Sequence, residues 1–394
     1  MSRIAGNLTA LVLGLMTTLL ALELGLRLFS DQARPLFQKH PIVGHRYIPG
    51  FAGRRWVEEA GREVLLRFNG LGYRGPDHAD AKPPGVRRVA VLGDSFVASV
   101  GVEEQETMVA QLEARLNGDG GGPWEVLSFG VSGYSTAQSL LAWREFARRF
   151  TPDIVLLCFY VGNDPMDNDR RLSDYLRPYF RVDASGALVQ EPWSAERASF
   201  NAWLSDHSVL YEWEKRMTRQ VRDGFRHRRS NATVAAPPHA AELYDREPPP
   251  VMIEAWTITE ALLATLAREV RASGARFLLV TIPELAQVSD EAWRRVLDAV
   301  GPQAARRCER ERPDAILTRI AAAHDIPILS LTAAFRAPPQ PAALFLQDFH
   351  WSAAGNRLAA EVVHARLVRP ASVAQAGSEG AGASVHRRLR ERST

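Results

Sequence analysis

The chain has 394 residues, 46% of them hydrophobic, which is enough for a substantial core in one or two domains. Its 48 basic and 45 acidic residues leave a net charge of +3, and all but three of the basic residues are arginines. Charge so evenly mixed lacks the basic face that a nucleic-acid partner requires, so no nucleic-acid partner is expected.

From Ile4 to Leu22 the chain is almost wholly apolar, interrupted only by Asn7, Thr9, Thr17 and Thr18. A helix of that length crosses a bilayer, and Glu23 and Arg27 follow where the interface would lie. No small-x-small cleavage site follows the apolar run, because Ala21-Leu22-Glu23 leads straight into Leu24-Gly25-Leu26. The pattern predicts an uncleaved anchor within residues 1–30 rather than a removed signal peptide. Arg3 on one side against Arg27 and Arg34 on the other leaves its orientation open.

Residues 31–85 are rich in Pro, Gly and Arg, and the glycines of Arg67-Phe68-Asn69-Gly70-Leu71-Gly72-Tyr73-Arg74-Gly75-Pro76 predict tight turns. This segment reads as a structural arm laid over a sheet. An α/β rhythm then begins. Val89 to Leu92 is a short apolar run that breaks at Gly93-Asp94-Ser95, as a buried parallel strand does before a helix. Met108, Leu112 and Leu116 mark one face of a helix over Glu104 to Leu116, which ends in Gly118-Asp119-Gly120-Gly121-Gly122-Pro123. That glycine cluster follows a helix and lacks a Gly-Lys-Ser/Thr ending, so it is a turn and not a phosphate loop. A strand over Glu125 to Phe129, a helix over Ser135 to Phe150 and a strand over Asp153 to Val161 follow.

From residue 165 to 251 the rhythm fails. Aromatic residues (Tyr175, Tyr179, Phe180, Trp193, Phe200, Trp203, Tyr211, Trp213) precede the cluster Arg226-His227-Arg228-Arg229 and two proline runs. This composition predicts a largely helical insertion ending in a Pro-rich loop. The rhythm resumes with a helix over Ile253 to Ala272, a strand over Arg276 to Ile282, helices over Asp290 to Val300 and Asp314 to His324, and a strand over Ile326 to Leu331. Residues 371–394 read as a disordered tail. The whole predicts a three-layer α/β/α domain over residues 86–370, with about five parallel strands in a flavodoxin-like order. Cys158 and Cys308 have no metal-ligand spacing; Cys158 reads as a small buried residue, and a disulfide between the two stays open.

Ser95 stands at the carboxyl end of the first strand, where open α/β sheets carry their ligand chemistry. A hydroxyl there attacks a carbonyl if a base takes its proton, although a Ser after a strand is more often a helix cap. Three further blocks follow in order: Gly133 in Val126-Leu127-Ser128-Phe129-Gly130-Val131-Ser132-Gly133-Tyr134, Gly162-Asn163-Asp164, and Asp348-Phe349-His350-Trp351. Together with Gly93-Asp94-Ser95-Phe96 they resemble the four blocks of the SGNH/GDSL esterase family. The resemblance implies Ser95 as nucleophile, His350 as base, Asp348 as the acid that holds it, and oxyanion donors from the Ser95 and Gly133 N–H groups and the Asn163 amide. Asp94 reads as shaping the turn.

Two positions depart from the usual family pattern. Gln347 stands three residues before His350, where the acid is usual, so Asp348 takes its place as in relatives with Asp-x-His-Trp. Ser128 stands where an Asn often precedes the glycine. The Gly-x-Ser-x-Gly elbow of α/β-hydrolases is absent because Val97 occupies its last position, and no metal or dinucleotide motif is present. No cofactor and no metal is expected. The resemblance implies a serine esterase acting on O-acyl groups, with an acylated glycan as one candidate substrate, held by its anchor on the periplasmic or extracellular side. Two alternatives stand beside it: an O-acyltransferase with the same residues, and a non-catalytic anchored glycan-binding or assembly protein.

Overall fold

The computed structural model describes residues 2–30, 34–173, 175–194, 204, 208–211, 213–215, 217–218 and 240–368. The cluster Arg226-His227-Arg228-Arg229, the aromatics Phe200 and Trp203, Pro237-Pro238 and the tail after Val368 lie outside the described residues.

Five parallel strands form the central sheet. In chain order they are β5 (Arg87–Gly93), β6 (Trp124–Gly130), β7 (Ile154–Tyr160), β10 (Arg276–Ile282) and β11 (Ile328–Ser330), and their spatial order is β11-β10-β7-β5-β6. Numbered within the sheet this is 2-1-3-4-5, the expected flavodoxin-like order, with its switch point between β5 and β7. Each strand is apolar on both faces, as a sheet covered on both sides requires. Ala90, Leu92, Val155, Leu157, Phe159, Phe277 and Leu279 point into one core, where they meet α4 (Thr136–Glu145), α6 (Pro250–Ala272) and α9 (Arg312–Ala323). Val89, Val91, Ile154, Leu156, Cys158, Leu278 and Val280 point into the other, against α3 (Met108–Gly118) and α11 (Ala353–Val368). The alternation of these two sets along each strand makes the three layers. Cys158 is a buried free thiol and Cys308 is also free, so the two form no disulfide.

The arm is part of the core. It holds two hairpins, β1–β2 (Phe37–His40, Gly44–Tyr47) and β3–β4 (Ala52–Val57, Arg62–Arg67). Tyr47 stacks on Phe68 with ring centroids 4.0 Å apart, and Tyr73 packs edge-on against Phe129 of β6 at 5.1 Å. The glycine-rich stretch turns as expected, with Gly72 at φ 79° and Gly75 at φ 112°.

In the insertion, the described residues include a strand pair where the sequence predicted helix. Phe180–Val182 (β8) and Leu188–Gln190 (β9) form an antiparallel hairpin. Its turn is closed by Asp183, whose Oδ1 accepts the N–H groups of Ser185 and Ala187. The Asp-x-Ser-Gly turn between β-forming residues overrides the helical reading of the aromatics. The helix expected from Ile253 begins at Pro250, whose missing N–H costs nothing in a first turn. The N-terminal helix α1 runs over Ser2–Phe29, longer than its apolar stretch. Gly6–Phe29 is long and apolar enough to cross a membrane; α6 passes the same test but half of it is buried as a core helix.

Candidate active site

The site lies at the carboxyl ends of β5, β6 and β7, around the switch point. β5 ends at Gly93, where a side chain would force its neighbours to move: a Cβ there would lie 2.6 Å from Val97 Cγ2 and 3.0 Å from the Cys158 carbonyl oxygen. This close approach lets the short helix α2 (Ser95–Ala98) start at once. Asp94 caps it, its Oδ1 accepting the Phe96 N–H at 2.9 Å. Asp94 is fully buried and its Oδ2 has no partner. Burial pushes its pKa up to about 6, a rise held back by the Phe96 N–H and by His350. Ser95 is partly exposed among buried neighbours.

His350 reaches Ser95 from the far end of the chain. Its Nε2 lies 2.7 Å from Ser95 Oγ, and its Nδ1 lies 2.7 Å from Asp348 Oδ2. Two residues with one between them can meet only if the backbone bends. The bend is at Phe349, a non-glycine residue in the left-handed region at φ 69°, a conformation that costs roughly 1–2 kcal/mol. The strain is held by the Leu346 N–H to His350 carbonyl bond at 2.7 Å and the Phe349 N–H to Leu346 carbonyl bond at 3.1 Å. Asp348 Oδ1 also accepts the His350 N–H at 3.2 Å, so the carboxylate grips both ring and backbone.

A carboxylate only accepts, so Nδ1 carries the proton and Nε2 offers a lone pair to the Ser95 hydroxyl. Burial alone would lower the His350 pKa, but the bond to Asp348, its charge and that of Asp94 carry it above the ordinary imidazole value. Burial pulls the opposite way on Asp348, yet the same bond holds that carboxyl below its ordinary range. Phe96 packs 5.2 Å from the His350 ring and 5.1 Å from Trp351. Asn356, fully buried, ties the two loops together. Its Oδ1 accepts the Met108 N–H at 2.9 Å and lies 2.9 Å from Ser99 Oγ, while its Nδ2 donates to the Ser352 carbonyl at 3.1 Å.

Gly133 and Asn163 stand after β6 and β7. The Tyr134 N–H closes a turn onto the Val131 carbonyl at 3.0 Å, and Gly133 takes its third position at φ 81°, where a side chain would be strained. Ser132 is held from behind by the arm: Tyr47 Oη lies 2.6 Å from its Oγ, and His45 Nε2 lies 2.9 Å from its carbonyl oxygen. Asn163 stands at the N-cap position of the short helix α5 (Asp164–Asp167) without a side-chain capping bond, and its Oδ1 is buried without a donor. Asp164 anchors that helix, accepting the Tyr160 N–H at 2.7 Å. Burial, then the charge of Asp94, raises its pKa well above the carboxylate range. Among the described residues no protein group accepts the N–H of Ser95 or of Gly133.

The structure thus brings Ser95, His350 and Asp348 into direct contact, with Gly133 and Asn163 on the neighbouring strand ends. Sequence reasoning passed over His45, Tyr47 and Asn356. The first two are single residues in an arm without a motif, and Asn356 lies five residues past the last block. A cavity of about 410 Å³ lies elsewhere, under the arm at the free edge of β6, and is lined by Asn69, Arg74, Ser128 and Phe150 among others, not by Ser95.

No curated protein matches the chain. Among solved structures it is similar to the lipase/acylhydrolase from Enterococcus faecalis (13% identity, 71% of this chain and 95% of that one, TM-score 0.39). It is similar also to TesA (17% identity, 72% and 98%, TM-score 0.38) and to the acetyl xylan esterase AlAXEase (12% identity, 71% and 100%, TM-score 0.40). Likeness at this level leaves the reaction to be read from the site and from the family. The profile of the GDSL-like lipase/acylhydrolase family matches residues 91–358, from within β5 to the first turns of α11, and so takes in Ser95, Gly133, Asn163 and His350. Over two thirds of its length, and through every block around the site, the chain belongs to the GDSL-like lipase/acylhydrolase family, hydrolases that act on ester bonds.

Proposed function

We propose that the protein is a serine esterase that removes O-acyl groups through an acyl-enzyme on Ser95. The observation that carries this reading is the line Ser95 Oγ–His350 Nε2–Asp348, with both contacts at 2.7 Å. His350 Nε2 takes the Ser95 proton as Oγ attacks the acyl carbonyl. Negative charge then develops on the carbonyl oxygen, where the N–H groups of Ser95 and Gly133 and the Asn163 amide donate to it. Collapse expels the alcohol oxygen, which takes the proton from His350. Water, deprotonated by the same nitrogen, attacks the acyl carbon and frees the acid and Ser95. Asp348 keeps the ring in the productive tautomer and stabilises the imidazolium formed in each half.

The apolar run Ile4 to Leu22 acts as an uncleaved anchor and holds this domain at the outer face of the membrane, where acylated surface glycans are the substrate class. The experiment is product analysis with the full chain in detergent, using p-nitrophenyl esters from acetyl to octanoyl, with and without a glycan acceptor. Free acid as the product in both arms supports the esterase. Acyl transfer to the glycan assigns the same residues to an acyltransferase, and the absence of any turnover or of Ser95 labelling by a fluorophosphonate contradicts both.

A further inference from the structure

We propose that His45, on the N-terminal arm, is a positioning residue for the oxyanion hole, aiming and polarising the peptide that presents the Gly133 N–H. This rests on the reading of Gly133 as an oxyanion donor. The carbonyl of Ser132 and the N–H of Gly133 belong to one planar peptide unit and point in opposite directions, so whatever fixes the oxygen fixes the hydrogen. His45 Nε2 lies 2.9 Å from that oxygen. A carbonyl only accepts, so Nε2 carries the proton and donates. Burial, against the hydrogen bond to Ser132 and with the charge of Arg177, pulls the His45 pKa below the ordinary imidazole value, which favours the neutral ring. A donor on the carbonyl side draws electron density through the peptide, and the N–H on the other side becomes a better donor.

The other polar atoms of Ser132 are also taken by the arm. Tyr47 Oη lies 2.6 Å from Ser132 Oγ and accepts the Ser132 N–H at 3.2 Å. His45 and Tyr47 are two apart on β2 and share one face of that strand. The His45 ring is itself clamped, with Phe37 edge-on at 5.5 Å and Tyr134 edge-on at 5.4 Å, while Tyr134 Oη donates to the His45 carbonyl at 2.9 Å. The Gly133 N–H is left as the free polar group of this peptide, since no described residue accepts it. Gly133 leaves only ordinary contact distance behind it: a Cβ there would sit 3.7 Å from His45 Nε2. The arm outside the matched family region thereby supplies part of the catalytic geometry.

The test uses the full chain with H45F, which keeps a ring between Phe37 and Tyr134 but cannot donate, and H45Q, whose side-chain amide can. Hydrolysis of p-nitrophenyl acetate is measured together with the affinity for a trifluoromethyl ketone, which adds to Ser95 as a tetrahedral oxyanion. H45F is expected to lower kcat about tenfold, to leave KM within about twofold and to weaken ketone binding by the same factor as kcat; removal of a whole donor costs about 10²–10³. H45Q is expected to recover kcat to within about threefold of the parent. If H45F does not fold, H45M, which also lacks a donor, takes its place. Parental kcat and ketone affinity in a folded donorless variant, or no recovery in a folded H45Q, overturns the proposal. Asn163→Ala separates the two levels: if it weakens ketone binding and H45F does not, only the role of His45 fails, whereas no effect from either removes the oxyanion hole itself.

Discussion

The two sides of the site are built in different ways. On one side Ser95, His350 and Asp348 touch through side chains, and the Asp94 cap and the left-handed Phe349 that hold them come from the same short blocks, with the Asn356 amide five residues beyond the last one. On the other side the proposed oxyanion donors are backbone N–H groups and one amide, and the loop that carries Gly133 is held by Tyr47 and His45, which lie 85 and 87 residues before Ser132 in the chain. Side-chain chemistry is written where it acts. Backbone chemistry is written where the backbone is braced, and that is a tertiary matter.

Substitutions act on the two sides with different force. The largest effect belongs to the side-chain line: Ser95→Ala and His350→Ala are each expected to lower turnover of a short ester by on the order of 10⁴-fold or more. Asp348→Asn keeps the shape but reverses the hydrogen bond that sets the tautomer, and is expected to cost between about 10²- and 10⁴-fold in kcat with an unchanged circular dichroism spectrum. Near-full activity in that variant would reduce the line to Ser95 and His350 alone. On the oxyanion side, Asn163→Ala is expected to lower kcat by about 10²–10³ while Ser95 still labels with a fluorophosphonate; a loss below roughly threefold moves the hole elsewhere.

The pH profile sharpens the same contrast. In the proposed mechanism His350 acts as base only when neutral, so raising its pKa moves the loss of activity to higher pH. The acidic limb of kcat/KM is therefore expected above the ordinary imidazole value of about 6.5. Asp348→Asn removes the main cause of the rise and should shift the limb to lower pH, whereas Asn163→Ala should leave it in place. The smallest effect is on stability. Asn356→Ala strands the buried Met108 N–H and is expected to cost about 1–3 kcal/mol, read as a lowered thermal midpoint.

Legibility in the sequence followed the same division. The strand over Arg276–Ile282 was visible to the residue, and β5 extends the run Val89 to Leu92 only to Arg87 at its start and to Gly93 at its end, because continuous apolar runs bounded by Gly or Pro leave little freedom. The helix expected over Ser135 to Phe150 stops at Glu145 and finishes as a tighter 3₁₀ turn over Ala147–Phe150, a boundary that packing decides. The bend between Asp348 and His350 was foreseeable from their spacing, though its location at Phe349 was not, since nothing in a phenylalanine announces positive φ. The β8–β9 hairpin was hidden because its one Asp-x-Ser-Gly turn stands among eight aromatics. His45 was invisible for a different reason. Its partner is a backbone carbonyl, and a carbonyl has no letter in the sequence.

The most direct measurement is rapid-quench mass spectrometry of the full chain during turnover of p-nitrophenyl acetate. An acyl-enzyme on Ser95 requires a transient population carrying one acetyl group, mapped to the peptide that contains Ser95, formed with the first burst of p-nitrophenol and absent in Ser95→Ala. Turnover without any acyl adduct, or an adduct on another residue that persists in Ser95→Ala, contradicts it.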